Sequence, residues 1–183
     1  MRIAHLDYYL LMQGTIDIHW FVGVTFRKEL WIKDKLNQMQ IECFVPTKEV
    51  VREKDGKKVK GQQLLTPGYV FVHTDLHTAK SLPGTVGMEM RFLKNYSDST
   101  PVIVPDRQMR DFMFLVTFSE QVIPLIPHKL KQGDRVRVIK GELKGLEGEL
   151  IRIKGHKRVV VRISDMLAVA TTYIPASYLE KTV

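Results

Sequence analysis

The chain has 183 residues, 44% of them hydrophobic, which suits one ordinary packed domain or two small ones and excludes wholesale disorder. Twenty-eight Lys and Arg against 20 Asp and Glu give a net charge of +8, a balance that favours a polyanionic partner over acidic proteins or neutral metabolites. The single cysteine, Cys43, rules out an internal disulfide framework and a multi-cysteine metal site, and no apolar run reaches the ~20 residues needed to span a bilayer.

Residues 1–18 match no clear element and read as an appended arm. Their short apolar patch is broken by Asp7 and no cleavage pattern follows, so a cytoplasmic protein is expected. Trp20 to Phe26 is a compact aromatic and β-branched run, a strand. A helix is predicted over Lys28 to Met39, with Ile32, Leu36 and Met39 on one face. Ile41 to Val45 reads as a second strand, ended by Pro46, and Cys43 within it as a buried structural thiol. Asp55-Gly56 then lies between two extended segments, a strong signal for a tight hairpin because both central residues must take positive φ. Its arms carry Arg52, Lys54, Lys57, Lys58 and Lys60, a protruding basic hairpin and a candidate nucleic-acid contact.

Pro67-Gly68 feeds a strand over Tyr69 to Val72, in which Tyr69 and Phe71 share one face. A short helix is predicted over His77 to Leu82, a strand over Met88 to Leu93 and a loop over Asn95 to Thr100. Pro105 sets the first turn of a helix running to Val122, with Met109, Phe112, Met113 and Val116 on its inner face. Ile123 to Lys129 holds two prolines and reads as a stiff linker and domain boundary.

Beyond it the rhythm changes to short strands separated by glycines. Residues 1–128 carry 16 basic and 14 acidic side chains and residues 129–183 carry 12 and 6, so most of the excess charge sits in the last 55 residues. Arg135 and Arg137 alternate with valines, Arg152 and Lys154 with isoleucines, and Arg158 and Arg162 with Val159, Val161 and Ile163. Such alternation sends the apolar set inward and the charges outward, as in a five-stranded barrel. Gly141, Gly145 and Gly148 mark places of positive φ or close backbone approach. Met166 and Leu167 fall in the last loop, able either to meet a partner or to cap the core. No phosphate-cradling glycine loop, hydrolase motif or carboxylate cluster is present, and the histidines lack ligand spacing, so neither catalysis, a cofactor nor a metal is expected.

Gly133 to Gly155 resembles a KOW motif, and its place after Thr66 to Val72 resembles the layout of the NusG/RfaH family of transcription elongation factors. The matching features are Trp20-Phe21 opening the first strand, Val45-Pro46-Thr47 after the second and Pro67-Gly68-Tyr69 entering the central one. The resemblance implies an α+β chain in four parts: an arm (1–18), an N-terminal NGN-like polymerase-binding domain (19–122), a linker (123–129) and a KOW barrel of SH3 type (130–183). It implies that Val24, Pro67, Gly68, Tyr69 and Phe71 face the clamp helices of the largest RNA polymerase subunit, and that His77-Thr78 stands where some members touch the polymerase gate loop. It further implies DNA or nascent RNA of the elongation complex as a partner. A ribosomal protein or termination factor is implied on the barrel side, where Arg135, Arg137, Arg152, Lys154, Arg158, Met166 and Leu167 are the candidates.

Thr66 departs from the family's phenylalanine before Pro-Gly. This departure, the basicity and the arm favour a specialised UpxY-like antiterminator, with the general housekeeping factor as the alternative. A ribosome-associated KOW RNA-binding protein and a basic scaffold with protein partners only are the readings from other classes. A monomer is expected.

Overall fold

The computed structural model describes residues 17–95, 97–118, 123–125, 133–153, 156–163, 167–171 and 174–182. The arm therefore lies outside the described residues apart from its last two. The fold is α+β, with an N-terminal antiparallel sheet flanked by helices and a C-terminal antiparallel sheet of barrel type.

The N-terminal sheet is built on β1 (Ile18–Thr25), which pairs antiparallel with β5 (Tyr69–Asp75) on one side and with β6 (Met90–Phe92) and β7 (Ile103–Val104) on the other. The short β2 (Glu42–Phe44) closes the β5 edge. Strand alternation gives this sheet two apolar faces. Phe21, Val70 and Val72 face α1 (Glu29–Gln38), through Ile32 and Leu36, and α2 (Leu76–Ser81), through Ala79. Trp20, Val22 and Phe71 face α3 (Asp106–Phe118), which brings Met109, Phe112, Leu115 and Val116. α1 ends one residue before the predicted boundary, so Met39 is its C-cap and is exposed rather than on the core face. In α3, Leu115 joins the core and Met113 is only half-buried.

β3 (Thr47–Lys54) and β4 (Lys57–Leu64) form a two-stranded ribbon of their own. Asp55 and Gly56 link them with φ of 53° and 71°, the two positive values that the tight turn demands.

The C-terminal sheet runs β13 (Leu179–Lys181), β9 (Asp134–Val138), β10 (Glu147–Ile153), β11 (His156–Ile163), β12 (Leu167–Ala170) and β8 (Ile123–Leu125). The first five of these supply the expected number of barrel strands, but β12 corrects the reading of Leu167 as a loop residue, since Leu167 pairs with Ile163 of β11. β8 corrects the linker expectation: Ile123–Leu125 pairs antiparallel with Ala168 to Ala170, and among the described strands β8 lies at the sheet edge, where proline is tolerated. Residues 126–129 of that segment lie outside the described residues. β11 is a further correction. Val159, Val160 and Val161 are all buried, so this strand is covered on both faces and does not alternate inside with outside. Gly148 in β10 has the close approach expected of it, since a Cβ there would come within 2.5 Å of the Val160 carbonyl.

α3 also lies against β11, and the Arg107 guanidinium pairs with Glu147 of β10. One apolar cluster runs from Trp20 and Phe71 through α3 to Val136, Val159 and Val169. The helix thus connects the two sheets.

Candidate functional site

The candidate surface begins where β1 and β5 emerge from under α3. Val24 pairs with Tyr69 at the last rung of the β1–β5 ladder, and both are half-buried. The turn that carries them is locked from two sides. Gly68 has φ of 91°, which favours glycine. Its N–H donates to Oε1 of Glu29 at 2.6 Å, and its carbonyl accepts from the Thr25 N–H at 2.9 Å. Glu29 is only 4% exposed and begins α1, so the helix start, the turn and the β1 end form one unit. Pro67 stands exposed at the apex, and Phe26, 79% exposed, continues the apolar edge past Thr25. Beside Val24 a groove of about 720 Å³ is lined by Lys80, Arg91, Leu93, Lys94 and Pro101, mixing apolar and basic groups. Phe26 and Arg91 were not singled out by the sequence. The alternation that exposes Arg91 between Met90 and Phe92 is the signal that was available.

Phe71 does not belong to this surface. It shares a face with Tyr69, as the strand period requires, but it is fully buried with its ring 5.2 Å from Phe112. Tyr69 packs against the rim of the same apolar cluster and stays only half-buried. Thr66 is buried as well, 3% exposed, and its hydroxyl has no hydrogen-bond partner among the described residues. The position where the family carries phenylalanine is therefore interior in this chain.

At the other end of β5, Asp75 caps α2. Its carboxylate accepts from the Thr78 N–H at 2.9 Å and from the Thr78 hydroxyl at 2.6 Å, and these bonds hold its pKa below the usual carboxylate range. Thr78 is thus committed to the helix start, and His77 is the exposed member of the pair.

In the ribbon, Arg52, Lys57, Lys58 and Lys60 are exposed. Lys54 is placed by its backbone pairing with Lys57. In the barrel, Arg135, Arg137 and Arg152 are exposed, but Arg137 binds Glu147 through Nε at 2.6 Å. Burial opposes the charge on Glu147, yet Arg137 and Arg107 together hold its pKa below the ordinary value. Arg158 is half-buried and donates to the Thr171 carbonyl at 2.9 Å, a structural bond, so it is withdrawn from the outward set. Arg162 is likewise paired, with Glu149 at 2.8 Å. Lys154 and Met166 lie outside the described residues, and Leu167 is placed only by its backbone in β12. Cys43 is half-buried in β2. Burial pushes its thiol pKa up, with Lys33 only partly opposing. Among the described residues no group of three His, Cys, Asp or Glu is placed to hold a metal, and no helix is long and apolar enough to cross a membrane.

Comparison with known proteins assigns this arrangement. Residues 18–113 match the family model described as transcription termination factor nusG, and residues 132–182 match that of transcription elongation factor SPT5, second KOW domain. An α+β module of the first kind followed by a KOW module defines a two-module transcription factor. The chain belongs to the NusG family. Among its relatives, the transcription termination/antitermination protein NusG of Pasteurella multocida is 29% identical over 170 residues, covering 88% of this chain and 87% of that protein. The protein of the same name from Deinococcus radiodurans is 26% identical over 168 residues, covering 80% and 88%. A solved structure titled domain interaction in Thermotoga maritima NusG aligns over 93% of this chain and all of its own, at 23% identity and a TM-score of 0.48.

Proposed function

We propose that this chain binds RNA polymerase through the Val24–Tyr69 edge, suppresses pausing or termination, and offers its KOW module to a second partner. The observation that carries the reading is the locked Pro67-Gly68 turn. Glu29 and Thr25 hold it rigid, so Tyr69, Val24 and Pro67 are presented pre-organised, and an interface that loses little freedom on binding gains affinity. Half-exposed tyrosines in such settings anchor interfaces, and the groove by Arg91 and Lys94 extends the contact. By the family resemblance the partner surface is the pair of clamp helices of the largest subunit. A factor that prefers the closed clamp shifts the elongation complex toward it by no more than that preference. The basic ribbon then reaches nucleic acid of the complex, and His77 extends toward the gate loop.

Arg137, Arg158 and Arg162 are paired within the barrel and so are less available to phosphates, which favours this reading over a ribosome-associated one. For the barrel a protein partner, ribosomal or a termination factor, fits better. The buried Thr66 and the arm favour a specialised antiterminator of UpxY type over the general factor.

The test is transcription in vitro across a terminator. Wild-type chain is expected to raise readthrough and Tyr69→Ala to leave it at the level without factor. Equal readthrough from both removes the proposed contact.

A further inference from the structure

We propose that the β3–β4 ribbon is one-sided: the face bearing Arg52 and Lys57 lies against the phosphates of double-stranded nucleic acid, and the face bearing Lys58 and Lys60 does not. This rests on the nucleic-acid reading of the ribbon and divides its cations.

The division follows from register. Residues directly opposite in an antiparallel ladder share a face, and successive residues alternate. Arg52 is opposite Val59 and Lys54 opposite Lys57, and the same face continues through Val50 with Gly61 and Lys48 with Gln63. It carries no acidic residue. The other face sets Lys58 opposite Glu53, Lys60 opposite Val51 and Gln62 opposite Glu49, so its two lysines are matched by two glutamates. A cation already balanced across the ladder contributes little to phosphate binding, because the gain comes from releasing counterions that such a cation does not displace.

Shape and composition select the ligand. The ribbon is hydrogen-bonded into neither larger sheet; its base, with Lys48, Val50 and Gly61 half-buried, touches α3, and Arg52, Lys57 and Val59 are exposed toward the tip. Eight residues per strand at about 3.3 Å each give a length of about 26 Å. A two-stranded ribbon is a form the major groove of B-DNA admits. Single strands are held mainly by stacking on aromatic side chains, and Thr47 to Leu64 contains none. The contact is therefore to duplex phosphates and independent of base sequence.

The experiment uses the full chain, a random-sequence duplex longer than the ribbon, and no polymerase, so that its failure leaves the polymerase reading standing. Two variants of equal charge are compared with wild type over a salt series: Arg52→Gln with Lys57→Gln, and Lys58→Gln with Lys60→Gln. The first is expected to flatten the slope of log affinity against log salt by about 1.8, the value for two lost phosphate contacts. The second is expected to change it by less than about half of one contact. Equal losses, a larger loss from the Lys58 and Lys60 pair, or no loss from either overturns the proposal. Tighter binding to a single strand of the same length overturns the duplex assignment. Competition by poly-glutamate as effective as duplex at matched charge overturns it in favour of an acidic polypeptide. Circular dichroism of both variants establishes that the fold is kept.

Discussion

At the scale of single residues, exposure separates side chains that the strand period alone had grouped. Tyr69 and Phe71 point the same way from β5, but Phe71 is sealed against Phe112 of α3 while Tyr69 lies at the rim of that cluster, half-buried. Phe71→Ala should therefore cost about 3–5 kcal/mol of stability by leaving a cavity against Phe112, measured by chemical denaturation. A loss under about 1 kcal/mol would mean that α3 does not seal this site. Thr66 predicts the opposite sign. Its buried hydroxyl lacks a partner among the described residues, so Thr66→Val, which keeps the shape, should stabilise by about 1 kcal/mol. For a chain of this size that is a rise of about 2–4 °C in Tm by thermal melting. A fall would reveal a bond to that hydroxyl.

At the scale of elements, α3 carries a testable charge. Asp111 is half-buried on it, and burial raises its pKa, opposed by Arg107 and reinforced by Glu147. A carboxyl whose folded pKa is raised favours folding below its unfolded pKa, and that contribution is lost as pH rises through the folded pKa. Asp111→Asn, which mimics the protonated form, should raise Tm at neutral pH, with the gain vanishing below about pH 4, where wild-type Asp111 is protonated in both states. A gain independent of pH would assign the effect to packing instead. Most elements were legible because their signals are local. Asp55-Gly56 dictates its turn, Pro105 its helix start, and the Arg–Val alternation its barrel strand β9. What escaped depends on partners distant in sequence. Pro124 looks like a linker residue until β12 is seen beside it, and Val160 looks half-exposed until β11 is known to be covered on both faces. The site divided in the same way. Val24, Pro67 and Tyr69 entered as candidates through the family resemblance, and the strand period put Tyr69 and Phe71 on one face, whereas the burial of Phe71 under α3 and the bonding of Thr78 to Asp75 depend on contacts the pattern does not display.

At the scale of the whole molecule, the two modules share α3. It packs on the N-terminal sheet through Met109 and Phe112, lies against β11, and ties Arg107 to Glu147. A shared apolar cluster couples the stabilities of the units that contribute to it, so calorimetry should record a single cooperative unfolding transition. Two separable transitions would show that the contact is too weak to couple them. The measurement that bears most directly on the account is an equilibrium titration of core RNA polymerase with the wild-type chain and with Tyr69→Ala. The account predicts that the variant stays folded, with a single melting transition, yet binds about thirty-fold or more weakly, the loss expected of an interface anchor. Wild-type affinity in a correctly folded Tyr69→Ala chain would contradict it.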